Sequence, residues 1–352
     1  MATAYRFLIL YPGLMLLLLL MPLSGCGDSG ADGSASTDTT SESSSSVTSS
    51  SDGGTGNDSA GGSVNGNTGE VASSFTPLDP AKLGTVERDV TYGNAGGVDL
   101  KMDVYYPKSA TGPLPVVMYV HGGGWTRGDK QDGAGARAIP DLQDAGFLVV
   151  SINYRLAPEY MFPAQIEDVK CAVRYLRANA DEYSLDAERI GAWGGSAGGH
   201  LVSLLGVTDE SDGLEGSGGY LDESSRVQAV VDMFGPSNLT REFEGGAIGQ
   251  ALGARVFGTS DRDSEILKVA SPVTYISADD PPFLILHGDS DELVPPWQSQ
   301  ELYDQLTAAG VPATLVMVKN AGHGFSPQGG EVSPTHQEIN RMIVDFFRQE
   351  LM

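Results

Sequence analysis

Ser196 lies in Ala192-Trp193-Gly194-Gly195-Ser196-Ala197-Gly198-Gly199-His200, which carries the pattern Gly-x-Ser-x-Gly at Gly194, Ser196 and Gly198. Residues Arg189 to Trp193 read as a short buried strand, and Gly199 to Val207 as a helix. A serine on a sharp strand-to-helix turn is held in a strained backbone conformation with its hydroxyl clear of the sheet, and small neighbours make that turn sterically possible. Such a hydroxyl becomes a nucleophile once a base takes its proton. The next amide, that of Ala197, points at the same spot.

Partner groups stand at the ends of other apolar runs. Pro115 to Val120 reads as a core strand and ends in His121-Gly122-Gly123-Gly124-Trp125. Glycine-rich backbone there can bring amides close to a carbonyl oxygen that gains negative charge, and one such donor is worth about 2.7–4 kcal/mol of barrier. Phe283 to Leu286 is followed by His287-Gly288-Asp289-Ser290-Asp291-Glu292-Leu293-Val294-Pro295, and Ala313 to Val318 by Asn320-Ala321-Gly322-His323-Gly324-Phe325. Serine, carboxylate and histidine therefore follow successive strands in the order nucleophile, acid, base. Of the five histidines, His121 begins the glycine loop, His200 lies on the helix behind the serine, His287 ends a strand and His336 lies near the start of the terminal helix. His323 alone sits in a glycine-flanked loop after the last strand, which makes it the base. Asp289 and Asp291 compete as the acid. Asp289 is placed to brace the turn; Asp291, two residues further out, is favoured because it can reach across the strand ends.

From about Thr85 to Leu351 the chain resembles the α/β-hydrolase esterases. The resemblance rests on His121 to Trp125, Asn153-Tyr154-Arg155-Leu156-Ala157-Pro158-Glu159, Phe162-Pro163-Ala164, Gly194 to Gly198 and Ala321 to Phe325. These motifs look like the hormone-sensitive-lipase-like carboxylesterases, and still more like the branch that includes bifunctional feruloyl/acetylxylan esterases. Gly195 stands where the lipase-like group usually has an acidic residue, and the acid loop reads His-Gly-Asp-x-Asp-x-x-Val-Pro rather than Asp-Pro-Leu. The resemblance implies Ser196 as nucleophile, Asp291 as acid and His323 as base, with Gly123, Gly124 and Ala197 as oxyanion donors. It also implies short-chain or aryl acyl esters, including acetyl or feruloyl groups on carbohydrate, as substrates. Amide hydrolysis by the same triad and a catalytically silent surface-binding protein are the alternatives. No cofactor is expected, because the sequence has neither a metal-ligand spacing nor a dinucleotide fingerprint.

Several nearby residues read as structural. Tyr154, Arg155 and Glu159 are expected to tie loop to helix. Phe162 to Asn179 reads as a helix with Ile166, Val169, Val173 and Leu176 on one face. Asp168 and Lys170 on it are expected to be solvated or locally paired, and Cys171 to be packed rather than reactive. Trp125 either walls the acyl pocket or packs the oxyanion loop. Trp193 belongs to the buried strand, and Trp297 starts a helix at the pocket mouth.

The core reads as strands alternating with helices, preceded by a hairpin from Thr85–Tyr92 and Val98–Tyr105 turned by Asn94 to Gly97. The expected architecture is an α/β-hydrolase fold, with a mostly parallel central sheet flanked by helices. Two inserts stand out. Thr208 to Ser225 is acidic and glycine-rich; Ser237 to Ser271 is partly helical and suited to form a small cap over the pocket.

Arg6 precedes an apolar stretch from Phe7 to Met21 that ends in Leu23-Ser24-Gly25-Cys26. That looks like a bacterial lipoprotein signal over residues 1–25, cleaved before Cys26, which is then acylated. Several acyl chains anchor stably, at about 0.8 kcal/mol per buried CH₂. Gly27 stands where aspartate would be a retention signal, which favours the outer membrane over the inner one. Residues 26–80 read as a disordered tether; its stretch from Gly27 to about Phe75 is dominated by Ser, Gly, Thr and Asp and has a reach of about 35–42 Å. Residues 81–352 then form the hydrolase domain, with 38 acidic residues against 20 basic ones. That balance argues against nucleic acid as a partner and favours a neutral small-molecule or carbohydrate-linked ester. With Cys26 and Cys171 alone, the domain has no intrachain disulfide.

Overall fold

The strand Leu114–Val120 (β3) is buried along its whole length, and its side chains alternate between two apolar layers. Val116, Met118 and Val120 join one layer; Val117 and Tyr119 join the other. A strand covered on both faces needs no polar alternation, so it reads as a continuous apolar run.

The computed structural model describes residues 80–109, 112–241 and 246–352. The expected signal, Cys26 and all but the last residue of the tether lie outside them. With β3 run β1 (Val86–Ala95), β2 (Val98–Tyr105), β4 (Leu148–Ile152), β5 (Leu185–Gly195), β6 (Ala229–Met233), β7 (Phe283–Gly288) and β8 (Ala313–Val318). They form one eight-stranded sheet in the order β1-β2-β4-β3-β5-β6-β7-β8. The β1–β2 and β2–β4 pairs are antiparallel, and the pairs from β4 to β8 are parallel. The hairpin closes with Ala95 opposite Val98, and Gly96 and Gly97 have φ of +59° and +81°. Two left-handed residues make the type I′ turn whose twist matches the strands.

The helices are α1 (Ile139–Asp144), α2 (Ala164–Ala178), α3 (Ala180–Tyr183), α4 (Ala197–Val207), α5 (Gly246–Phe257), α6 (Glu265–Val269), α7 (Trp297–Ala309) and α8 (His336–Leu351). The apolar residues of α2, α4 and α7 pack on one face of the sheet. Those of α1 and α8 pack on the other, α8 through the stripe Ile339, Ile343, Val344, Phe347 and Leu351. Thr335 and Glu338 form a reciprocal capping box at the start of α8. Two helices begin elsewhere than their patterns suggest: α2 starts at Ala164, and α4 starts at Ala197, directly after the serine.

The expectation that Asp168 and Lys170 are solvated or locally paired is corrected. The Asp168 carboxylate is buried under the Arg155 guanidinium, with a hydrogen bond of 2.7 Å. The Lys170 ammonium is fully buried and donates to Glu215 Oε1 at 2.7 Å, Ser225 Oγ at 3.1 Å and the Thr208 carbonyl at 3.3 Å. Arg174 also pairs with the Glu215 carboxylate and donates to the Gly219 carbonyl at 3.1 Å. Helix α2 thus anchors the acidic insert by burying two cations on one carboxylate. Glu215→Ala strands both charges, a loss of about 3 kcal/mol. A matching drop in urea-unfolding stability is expected, and a change below about 1 kcal/mol would show that the insert folds independently of this cluster.

Candidate active site

Parallel strands bring their carboxyl ends to one edge of the sheet, where crevices form. Val120 of β3 pairs with Gly194 of β5, Met233 of β6 with Leu286 of β7, and Gly288 of β7 with Val318 of β8. The segments beyond these residues carry the glycine loop, Ser196, the acid loop and His323.

Ser196 occupies the turn between β5 and α4 with φ +57° and ψ −121°. Its N–H donates to the Met233 carbonyl at 2.9 Å, and its carbonyl accepts from the His200 N–H at 2.9 Å. The turn is threaded against β3. A Cβ on Gly198 would overlap the Val120 carbonyl oxygen, and one on Gly194 would lie 2.5 Å from the Gly198 carbonyl carbon. Neither position has room for a side chain, so both flanking glycines are steric requirements of the turn.

His323 Nε2 lies 2.9 Å from Ser196 Oγ, and His323 Nδ1 donates to Asp291 Oδ2 at 2.8 Å. Asp291 Oδ1 accepts from the Leu293 and Val294 amides, both at 2.9 Å. Burial alone would raise the Asp291 pKa. Hydrogen bonds from His287 and His323, the charge of His323 and the Val294 amide outweigh it and hold the carboxyl well below the usual carboxylate range. A permanently ionised carboxylate fixes the imidazole tautomer and can stabilise an imidazolium. The set can therefore take a proton from a serine hydroxyl and return it to a leaving group. Asp289 is exposed and braces the turn by accepting from Ser290 Oγ at 3.0 Å.

The other histidines hold this edge together. Trp125 Nε1 donates to His200 Nδ1 at 3.1 Å, so His200 Nε2 carries the proton it donates to the Ala270 carbonyl at 2.7 Å. Burial lowers the His200 pKa to about 4, which keeps that tautomer neutral. Trp125 is buried, with its ring edge-on to His200 and Phe257, so it packs the glycine loop. His121 stacks on Tyr154 with centroids 4.3 Å apart, and Tyr154 Oη donates to the His121 carbonyl at 3.0 Å. His287 Nδ1 accepts from Ser299 Oγ at 2.6 Å, while Nε2 donates to the Val294 carbonyl at 2.8 Å. His336 opens α8. Trp297 opens α7, and the Arg241 guanidinium stacks 4.0 Å above its ring. Cys171 is buried, and burial pushes its thiol up to about 11. Among the described residues no group of three or more His, Cys, Asp or Glu is placed to hold a metal ion.

The chain matches the family described as BD-FAE over residues 102–306, and one described as TAP-like protein over residues 266–349. It is 36% identical over 223 residues to the probable carboxylic ester hydrolase LipM of Mycobacterium tuberculosis, covering 62% of this chain and 51% of that protein. It is 32% identical over 246 residues to esterase LipC of the same organism, covering 68% and 60%. The chain thus spans between half and two thirds of the length of these curated relatives. Among solved structures, a truncated carbohydrate esterase from gut microbiota superposes with a TM-score of 0.67 at 31% identity, over 78% of this chain and 99% of that one. The propionate-bound esterase 2 of the planctomycete Thermogutta terrifontis gives 0.63 at 26% identity, over 74% and 93%.

One buried acid beside α4 escapes a reading by motif. Asp232 interrupts the otherwise apolar β6, and that interruption is the signal that could have drawn notice to it. Its Oδ1 accepts from the Gly235 amide at 3.0 Å, and its Oδ2 has no hydrogen-bond partner among the described residues. Burial raises its pKa from 3.8 to about 6, against the charge of His287, the Gly235 amide and the neighbouring Ser203 hydroxyl. The neutral form therefore stabilises the fold fully below 3.8, and that contribution is lost as pH rises through 6. Asp232→Asn keeps the acceptor and removes the ionisation. The variant is expected to exceed the parent in stability at pH 8 by up to about 3 kcal/mol, with the difference vanishing below pH 4. Chemical denaturation across that range measures it; a variant weaker at every pH would mean the ionised carboxylate is satisfied.

Proposed function

The chain belongs to the BD-FAE family of α/β-hydrolases, and from that membership we propose that it is a serine carboxylesterase working through an acyl-enzyme. The observation that carries this reading is the unbroken hydrogen-bonded chain from Ser196 Oγ through His323 to Asp291. Ser196 Oγ attacks the ester carbonyl as His323 Nε2 takes its proton. The Gly123, Gly124 and Ala197 amides receive the oxyanion. His323 passes the proton to the leaving alcohol and then activates the water that releases the acid.

Short or aryl acyl groups on carbohydrate are the proposed substrates. Helix α5 of the second insert lies over the oxyanion loop, with Leu252 Cδ1 3.5 Å from where a Cβ on Gly124 would stand. Phe257, from the same helix, packs against Trp125 and Phe162. Apolar side chains so close to the glycine loop suit a small acyl group, and the similarity to a carbohydrate esterase and to an esterase holding propionate points the same way. We further propose that Cys26 is acylated and tethers the domain outside the cell, at the outer membrane, where it meets polymer-borne esters rather than nucleic acid.

The test is hydrolysis of p-nitrophenyl esters from acetate to palmitate, and of the ferulate. Ser196→Ala is expected to lower kcat by about 10⁴-fold or more and to abolish labelling by a fluorophosphonate. Activity that survives in Ser196→Ala would refute the mechanism; a labelled parent that cleaves only anilides would make it an amidase. Leu252→Ala is expected to raise kcat/KM for the octanoate about tenfold relative to the acetate, and an unchanged chain-length profile would mean that Leu252 does not limit the acyl group.

A further inference from the structure

Phe234 follows β6 directly and is buried, yet its φ is +46°. An aromatic residue is a genuine outlier in this left-handed region, and glycine is the residue that adopts it without penalty. The backbone around it is clamped on both sides. The Phe234 N–H donates to the Leu286 carbonyl of β7 at 2.8 Å, and the preceding carbonyl, that of Met233, accepts the Ser196 N–H.

The conformation places the ring against His323 and against the residue that precedes Ser196. It meets the His323 imidazole with centroids 4.9 Å apart and planes at 67°. It meets Phe325, on the same turn as His323, at 4.8 Å and 85°. Its tip lies 3.0–3.1 Å from where a Cβ on Gly195 would stand. Residue 195 precedes the nucleophile, so one ring touches the serine's turn and the base together. Hydrogen bonds to Asp291 and Ser196 hold the two nitrogens of His323. They leave the tilt of the ring about the line joining those nitrogens to be set by packing. The His323 side chain is a quarter exposed, so packing reaches it from one side, and the Phe234 ring is part of that side.

We propose that Phe234 is the positioning residue that sets the tilt of His323, and that Gly195 is small so that the ring can stand there. The inference rests on the reading of Ser196 and His323 as nucleophile and base. Its physical warrant is that an unfavourable backbone conformation persists where the surrounding structure over-determines it and the residue's placement serves the site. Displacing a reacting group by a fraction of an ångström lowers turnover more than affinity.

The test compares Phe234→Leu, Gly195→Ala and the double variant with the parent. Phe234→Leu is expected to lower kcat for p-nitrophenyl acetate about tenfold with KM within about twofold. Gly195→Ala drives a Cβ against the ring and is expected to lose a similar factor. In the double variant the clash is gone, so its loss is expected to stay close to that of Phe234→Leu alone. Losses that multiply to about a hundredfold would overturn the proposal, as would a Phe234→Leu variant with parental kcat. Phe234→Met serves if the leucine variant fails to fold. A second readout does not need turnover: the low-field proton between His323 Nδ1 and Asp291, followed by NMR, is expected to broaden in Phe234→Leu and to stay sharp in the parent. A parent that shows this proton but cleaves no ester would refute the esterase reading and leave this one standing; an unchanged resonance in the variant would refute this one.

Discussion

The candidate site depends on one close approach, that of the Gly194–Gly198 turn to the end of β3. The turn brings α4 so near the Val120 carbonyl that no side chain fits between them. Without that contact Ser196 would have no reason to sit at positive φ, and the amide of Ala197 would not open a helix directly behind it. The same approach brings the glycine loop after β3 beside the serine. Neighbouring parallel strands then bring Asp291 and His323 to the same edge by register alone. The sheet thus works as a ruler, and the elbow is the mark from which the other groups are measured.

Hydrogen bonding gives the histidines different duties on one scaffold. His200 is a neutral strut between the glycine loop and the far end of the second insert. His287 sits between the acid loop and α7, near enough to Asp291 to help keep it ionised. His121 stiffens its loop by stacking on Tyr154. His323 joins a partly exposed ring to an always-charged carboxylate, and that combination suits proton transfer. Burial without a charged partner makes a histidine inert, whereas a carboxylate at one nitrogen and a hydroxyl at the other make it a candidate base.

Much of this was legible in the residues because the relevant groups follow strands that are plain apolar runs. Asp291 and His323 stand in short loops after β7 and β8, so their meeting at one edge follows from strand order. Distances along the chain hid the rest. Lys170 and Glu215 are 45 residues apart, and nothing in helical spacing pairs them, so a buried long-range ionic anchor read as a solvated or locally paired charge. Trp125 was undecided between pocket wall and loop packing because its partners, His200 and Phe257, come from two other elements. Helix starts moved by one or two residues where the turn before them, and not the apolar pattern, decides where hydrogen bonding begins. Asp232 carried a visible signal, a carboxyl inside an apolar strand, which motif reading passed over.

The strut through His200 ties two regions that sequence order keeps apart. Trp125 sits in the glycine loop, and Ala270 closes the insert whose helix α5 lies against that loop. Loop and insert are therefore riveted to one imidazole. Position 270 supplies only a backbone carbonyl, so an insert grafted from a relative keeps its rivet as long as residues 125 and 200 stay in place, and recombination in this fold can exchange the insert by itself.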